Sequence, residues 1–223
     1  MDSFSNVVQP RFEEIFKKDF HLKGKWNELF FRNDNPIALE LGCGKGEYTV
    51  GLARKFPDIN FLGIDIKGAR LWKGAGIAVA EGLTNVGFLR TRIELIESFF
   101  CEDEISEIWI TFPDPQLKKR RNKKRLTGPR FLNSYNRFLK PGSLIHLKTD
   151  SRELYDYTNT LIEFNGLELF ESTDDLYSGS YSNDMLSIRT YYEEIFMDEG
   201  KKITYTCFSL SPGKMISEPE KDE

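Results

Sequence analysis

Two short stretches of this 223-residue chain hold residue types that can do chemistry: "LELGCGKGE" at 39–47 and "TFPDPQLKKRRNKKRL" at 111–126. In the first, Gly42, Gly44 and Gly46 stand at alternate positions directly after an apolar run. Glycine is needed where the backbone turns sharply or meets a ligand with no Cβ in the way. The pattern therefore predicts a nucleotide-type ligand at a strand-to-helix turn in preference to a plain turn. A dinucleotide fingerprint would need a glycine at position 47, where the chain has Glu47, and a P-loop would need Lys-Ser or Lys-Thr after its last glycine. Neither is present. Glu40, two residues before the first glycine, puts a carboxylate where a pyrophosphate is repelled and an ammonium or sulfonium is attracted. S-adenosylmethionine carries both cations and no phosphate, and is the cofactor these residues predict. The next apolar run ends at Asp65, about twenty residues past the last glycine, where an acid can accept hydrogen bonds from ribose hydroxyls. Asp65 could instead cap the helix that follows.

The second stretch is an apolar run, "EIWITF", that stops at Pro113 and Pro115 with Asp114 between them. Two rings stiffen the backbone there and hold one carboxylate at the end of a strand. Such a group can accept a proton or stabilise positive charge arising on a methyl acceptor. An Asn-Pro-Pro-Tyr elbow serves amino-methyltransferases of adenine at the matching strand end. A solvated proline turn is the bland alternative. Behind the elbow, "KKRRNKKR" (118–125) carries seven basic residues in eight. Its place between a sheet-edge turn and a proline-initiated helix argues against a localisation tag or a merely solvated run, and for phosphates drawn to a reaction cleft.

These groups need a scaffold. "IALEL" (37–41), "NFLGID" (60–65), "VGFLR" (86–90), "EIWITF" (107–112) and "SLIHLKTD" (143–150) have strand length, and helix-period segments at 47–56, 129–139 and 151–164 lie among them. The alternation predicts an α/β fold with a doubly wound, mostly parallel sheet, whose ligands bind outside the carboxyl ends of the strands. One methyltransferase-sized domain is expected at 36–210, with an N-terminal extension at 1–35 and a fraying polar tail at 211–223. Net charge is −4, so a uniformly basic, nucleic-acid-coating protein is excluded and the local basic run matters more than the total. Cys43, Cys101 and Cys207 have no metal-ligand spacing and no disulfide framework, which with the absence of a signal segment or membrane span predicts a cytoplasmic protein. No metal is called for. His146, inside a strand, reads as a satisfied side chain, and nothing singles out His21.

Together, "ALELGCGKGEYTVGLA", "FLGIDIK", "TFPDPQLKKRRNKKRLTGPRFL", "LKTD" and "TYYE" resemble the tRNA (guanine-N7-)-methyltransferase family of the single-subunit bacterial type. The resemblance runs from about residue 36 to the 190s. It implies the Rossmann-like class I methyltransferase fold, with Glu40, Asp65 and Asp114 around the cofactor and Asp114 also as the catalytic carboxylate. It implies further that Lys118, Asp150 and the segment from Thr190 to Glu193 contact the substrate or complete the pocket, the substrate being a guanine in the variable loop of tRNA. Asp150 could equally cap a helix, and Thr190 with Glu193 has the spacing of a capping box. The chain departs from the family at Arg92, where an acidic residue or Asn usually lies near the adenine ring, and at Gln116, where Trp is common. Two rivals remain: a methyltransferase acting on another base, such as an adenine amine, and a non-catalytic RNA-binding module.

Overall fold

The computed structural model describes residues 4–178 and 184–219. Fully buried parallel strands read as continuous apolar runs, and all five expected runs form strands. Numbered in chain order, the strands are β1 (Val7–Val8), β2 (Ile37–Leu41), β3 (Asn60–Asp65), β4 (Val86–Arg90), β5 (Ile105–Thr111), β6 (Leu139–Thr149), β7 (Glu168–Thr173) and β8 (Thr204–Ser209). The helices are α1 (Phe12–Ile15), α2 (Glu47–Lys55), α3 (Gly68–Ala80), α4 (Pro129–Tyr135), α5 (Arg152–Phe164) and α6 (Tyr191–Asp198). Short 3₁₀ turns cover Ile93–Ser98 and Lys119–Lys124.

The strands form one sheet in the order β1-β4-β3-β2-β5-β6-β8-β7. Every neighbouring pair from β1 through β6 is parallel, while β8 runs antiparallel to both β6 and β7. Strand β2 is the switch point: Glu40 stands opposite Gly63 of β3 on one side and Trp109 of β5 on the other. The chain leaves β2 and β5 in opposite directions across the sheet, so a crevice opens at their carboxyl ends.

Residues 4–35 pack onto the sheet. Strand β1 extends the sheet beyond β4, and Ile15, Phe20, Leu22, Trp26 and Phe31 join the core that α4 and α5 cover. Trp26 is wholly buried and its indole N–H donates to the Phe99 carbonyl at 2.8 Å. The expected fraying of the tail does not hold for its described residues. Ile216 is buried; Asn133 brackets its backbone with two 2.8 Å hydrogen bonds, and Asn165 does the same for Ser217 at 2.9 and 3.0 Å. Residues 220–223 lie outside the described residues. The helix expected to run to 139 stops at Tyr135, because Leu139 is already paired with Ile105 in the sheet. Among the described residues no helix is long and apolar enough to cross a membrane.

Candidate active site

At the end of β2 the glycine loop is organised by two acids. Asp65 Oδ2 accepts from the Gly44 N–H at 3.0 Å, and its Oδ1 accepts from the Lys67 N–H at 2.7 Å. Asp65 therefore ties the loop to the start of α3, a wider role than a helix cap. Gly42 and Gly44 both have left-handed φ, +79° and +56°, and nothing stands within 4 Å of where a Cβ would project. Gly46 differs: a Cβ there would sit 2.5 Å from the Phe88 ring, so this glycine lets the loop pack on the sheet. Glu40 lies below the loop. It is buried, and it accepts from the Thr49 hydroxyl of α2 and, at 2.7 Å, from the Thr111 hydroxyl of β5. Burial pushes its carboxyl up to about 7 against the pull of those hydroxyls. Glu40 supports the loop from beneath and is not among the residues that line the cleft described next.

Gly42, Asp65, Arg92 and Asp114 line one cleft of about 540 Å³, within the usual range for small-molecule sites. Arg70, Thr91 and Phe112 share its walls. Thr91 is buried and its hydroxyl oxygen has no hydrogen-bond partner among the described residues, although it lies just past the end of β4 beside Arg92. Sequence reading passed over this residue, because an ordinary threonine after a strand carries no pattern. The open side of Gly42 and Gly44, the acid at the end of β3 and this unpartnered hydroxyl fit a nucleoside-type ligand.

The elbow forms the opposite wall. Phe112 has φ +47° and Gln116 φ +51°, left-handed values that side-chain-bearing residues rarely adopt and that cluster at functional sites. Phe112 donates its N–H to the Lys148 carbonyl at 2.8 Å, so the kink stays anchored to β6. Asp114 is exposed, and its Oδ1 accepts from the Gln116 N–H at 3.1 Å. The basic run divides its labour. Arg125 is buried, its guanidinium 4.1 Å from the centre of the Tyr157 ring and its Nε donating to the Pro115 carbonyl at 3.3 Å. Lys124 lines the cleft, while Lys118, Arg120, Arg121 and Lys123 are exposed on the turn. Lys118 thus stands at the elbow's outer margin and not in the cleft wall.

The second group of expected residues lies around the start of α6 and the end of β6. Thr190 and Glu193 make a reciprocal capping box at the start of α6: the Glu193 N–H donates to Thr190 Oγ1 at 3.2 Å and the Thr190 N–H to Glu193 Oε2 at 3.3 Å. Glu193 is fully buried, paired at 2.7 Å with the equally buried Lys148 and accepting from the Tyr177 hydroxyl. Lys148 also donates to the carbonyls of Leu186 and Ile188 at 3.1 and 3.2 Å. Thr190 and Glu193 thus brace the segment whose Tyr191 and Tyr192 rings stay about half exposed, at 50% and 43%. The signal for Lys148 was present in "LIHLKTD", since a lysine inside a buried strand demands a buried partner. Asp150 pairs with Lys201 at 3.2 Å and does not cap α5, because Ser151 Oγ accepts from the Leu154 N–H there. Neither Asp150 nor the capping box lines the cleft.

His146 is buried away from the cleft, stacked 3.9 Å from Trp109, with Nδ1 2.8 Å from the Tyr205 hydroxyl. Its Nε2 is 2.8 Å from Glu107 Oε1, a close ion pair without good hydrogen-bond direction. Burial lowers its affinity for a proton, but contacts with Cys207 and Glu107 outweigh that and raise it to about 9.

This sheet order, with one reversed strand inserted before the last and a glycine loop at the switch point, defines a class I methyltransferase. Residues 34–206 match the family model described as "Putative methyltransferase". The chain is 54% identical over 224 residues to the tRNA (guanine-N(7)-)-methyltransferase of Porphyromonas gingivalis, covering 99% of this chain and 91% of that one. It is also 54% identical over 210 residues to the enzyme of the same name from Christiangramia forsetii, covering 94% of each. The chain belongs to the tRNA (guanine-N7-)-methyltransferase family. Its fold is shared with the 16S rRNA methyltransferase KamB, at TM-score 0.64 and 14% identity over 85% of this chain and 94% of that one.

Proposed function

We propose that the protein transfers a methyl group from S-adenosylmethionine to N7 of a guanine in the variable loop of tRNA. The strongest support is the elbow, which carries Asp114 into the cofactor-sized cleft and is bolted through Arg125 to an exposed basic turn. One short segment thus joins a small-molecule site to a polyanion-binding surface.

Gly42, Gly44, Asp65 and Thr91 would hold the cofactor, with the buried Glu40 charge favouring its cationic end. Bound there, S-adenosylmethionine supplies an electrophilic methyl group, which passes to N7 as its carbon–sulfur bond breaks. Guanine N7 has an in-plane lone pair, so no protein base has to remove a proton from it, and placement in line supplies much of the acceleration. The purine gains positive charge and its N1–H becomes more acidic. Asp114 accepts a hydrogen bond from that edge and stabilises the developing cation. The exposed cations Arg120, Arg121 and Lys123 hold phosphates while the guanine leaves its stack.

Transfer of labelled methyl to unmodified tRNA, with the product base mapped, tests the reading. Label at N7 of a variable-loop guanine, reduced about 100-fold or more in Asp114→Ala, is expected. Label on an adenine amine would transfer the site to the rival substrate.

A further inference from the structure

We propose that Gln116 reads the exocyclic amine of the target guanine. The inference rests on the functional reading above and deepens it. Gln116 lines the same cleft as Asp114, and its side-chain Oε1 is buried with no hydrogen-bond partner among the described residues. A buried amide oxygen without a donor is unfavourable unless something bound supplies one. The backbone is committed to this placement. Gln116 is held at φ +51°, in the left-handed region, and its N–H is tied to Asp114 Oδ1 at 3.1 Å. That turn puts the two residues on one elbow, both lining the cleft, and Arg125 braces it through the Pro115 carbonyl.

The chemistry of the pair is specific. Asp114 Oδ2 has no partner among the described residues, so one elbow brings two acceptors to the cleft, Asp114 Oδ2 and Gln116 Oε1. An ionised carboxylate can only accept, and the buried end of the amide is its oxygen. The Watson–Crick edge of guanine presents two neighbouring donors, N1–H and the N2 amine. The same edge of adenine presents one amine beside N1, an acceptor that would face an acceptor. The pairing assigned here is N1–H to Asp114 and the N2 amine to Gln116. It selects guanine over adenine by leaving polar groups unpaired with the wrong base, which discriminates more strongly than shape alone.

Inosine is the probe, because it keeps N1–H and N7 but lacks the N2 amine. Wild type, Gln116→Met and Gln116→Glu are each assayed on tRNA carrying guanosine or inosine at the modified position. Calorimetric titration with S-adenosylmethionine verifies that each variant retains its fold. Wild type is expected to lose roughly 10- to 100-fold in kcat/KM on inosine. Gln116→Met should show a similar loss on guanosine and no further loss on inosine, while Gln116→Glu, which keeps an acceptor, retains the guanosine preference. Losses that multiply in Gln116→Met, or a wild type indifferent to inosine, overturn the role of Gln116 and leave the methyltransferase reading standing. No N7 methylation of guanosine tRNA by wild type overturns that reading, and this proposal with it.

Discussion

Asp65 Oδ2 accepts the Gly44 N–H at 3.0 Å, so the acid ending the second central strand holds the glycine loop that ends the first. Asp65→Ala removes this tie together with the acceptor for Lys67 N–H. Cofactor affinity should fall at least about 10-fold, since one hydrogen bond to a charged group contributes roughly 1.5–3 kcal/mol. Asp65→Asn keeps one acceptor and should lose less. Titration calorimetry with S-adenosylmethionine reads both, and equal affinities in wild type and Asp65→Ala would refute the role.

Glu40, held near 7 by burial, links pH to both stability and binding. A carboxyl whose folded value lies above its ordinary 4.5 stabilises the fold fully below 4.5, and that contribution is lost as pH rises through about 7. For the cofactor-free protein the contribution is on the order of 3 kcal/mol. Urea melts across this window should show it in wild type and not in Glu40→Gln. A cationic ligand favours the ionised carboxylate, so cofactor affinity should rise with pH over the same window. A flat wild-type affinity from about pH 6 to about pH 8 would contradict the linkage.

Breaking the buried Lys148–Glu193 pair on one side leaves an uncompensated charge. Lys148→Met or Glu193→Gln alone should destabilise the fold by roughly 3–5 kcal/mol, and the double replacement should recover much of that. Denaturant midpoints provide the comparison; additive losses would mean that the two groups do not act as a pair.

Much of this could be read in advance, and the reason differs by element. Strands β2 to β6 are buried on both faces and advertise themselves as apolar runs, whereas "ELFEST" and "TYTCFS" mix polar residues and give no such run. Strand β1 is two residues long, below any periodic signal. At the site, the glycine loop and the Pro-Asp-Pro elbow were legible because local backbone geometry dictates their residues. The hydrogen-bond and ion-pair settings of Glu40, Thr190 and Glu193 were not. They depend on partners such as Thr111 and Lys148 that the fold brings from distant parts of the chain.

The exposed cations of the basic turn should act on RNA alone. Replacing Arg120, Arg121 and Lys123 by Gln should weaken tRNA binding and shrink the slope of log affinity against log salt by about 2 to 3, leaving cofactor affinity unchanged. Arg125→Gln should instead lower the melting temperature, because this arginine braces Pro115 and Tyr157. A salt slope unaltered in the triple variant would place the RNA elsewhere.

Strand β8 lies between β6 and β7, though it is the last of the three to be synthesised. A ribosome that has released β7 but not residues 204–209 therefore presents two strands flanking a gap that nothing yet fills. Chains emerge N-terminus first, so the β1 to β5 half can assemble during translation while β6 waits with an open edge. Pairing of that edge with a neighbouring nascent chain is the hazard this topology creates, and rapid completion of the last strand is its remedy.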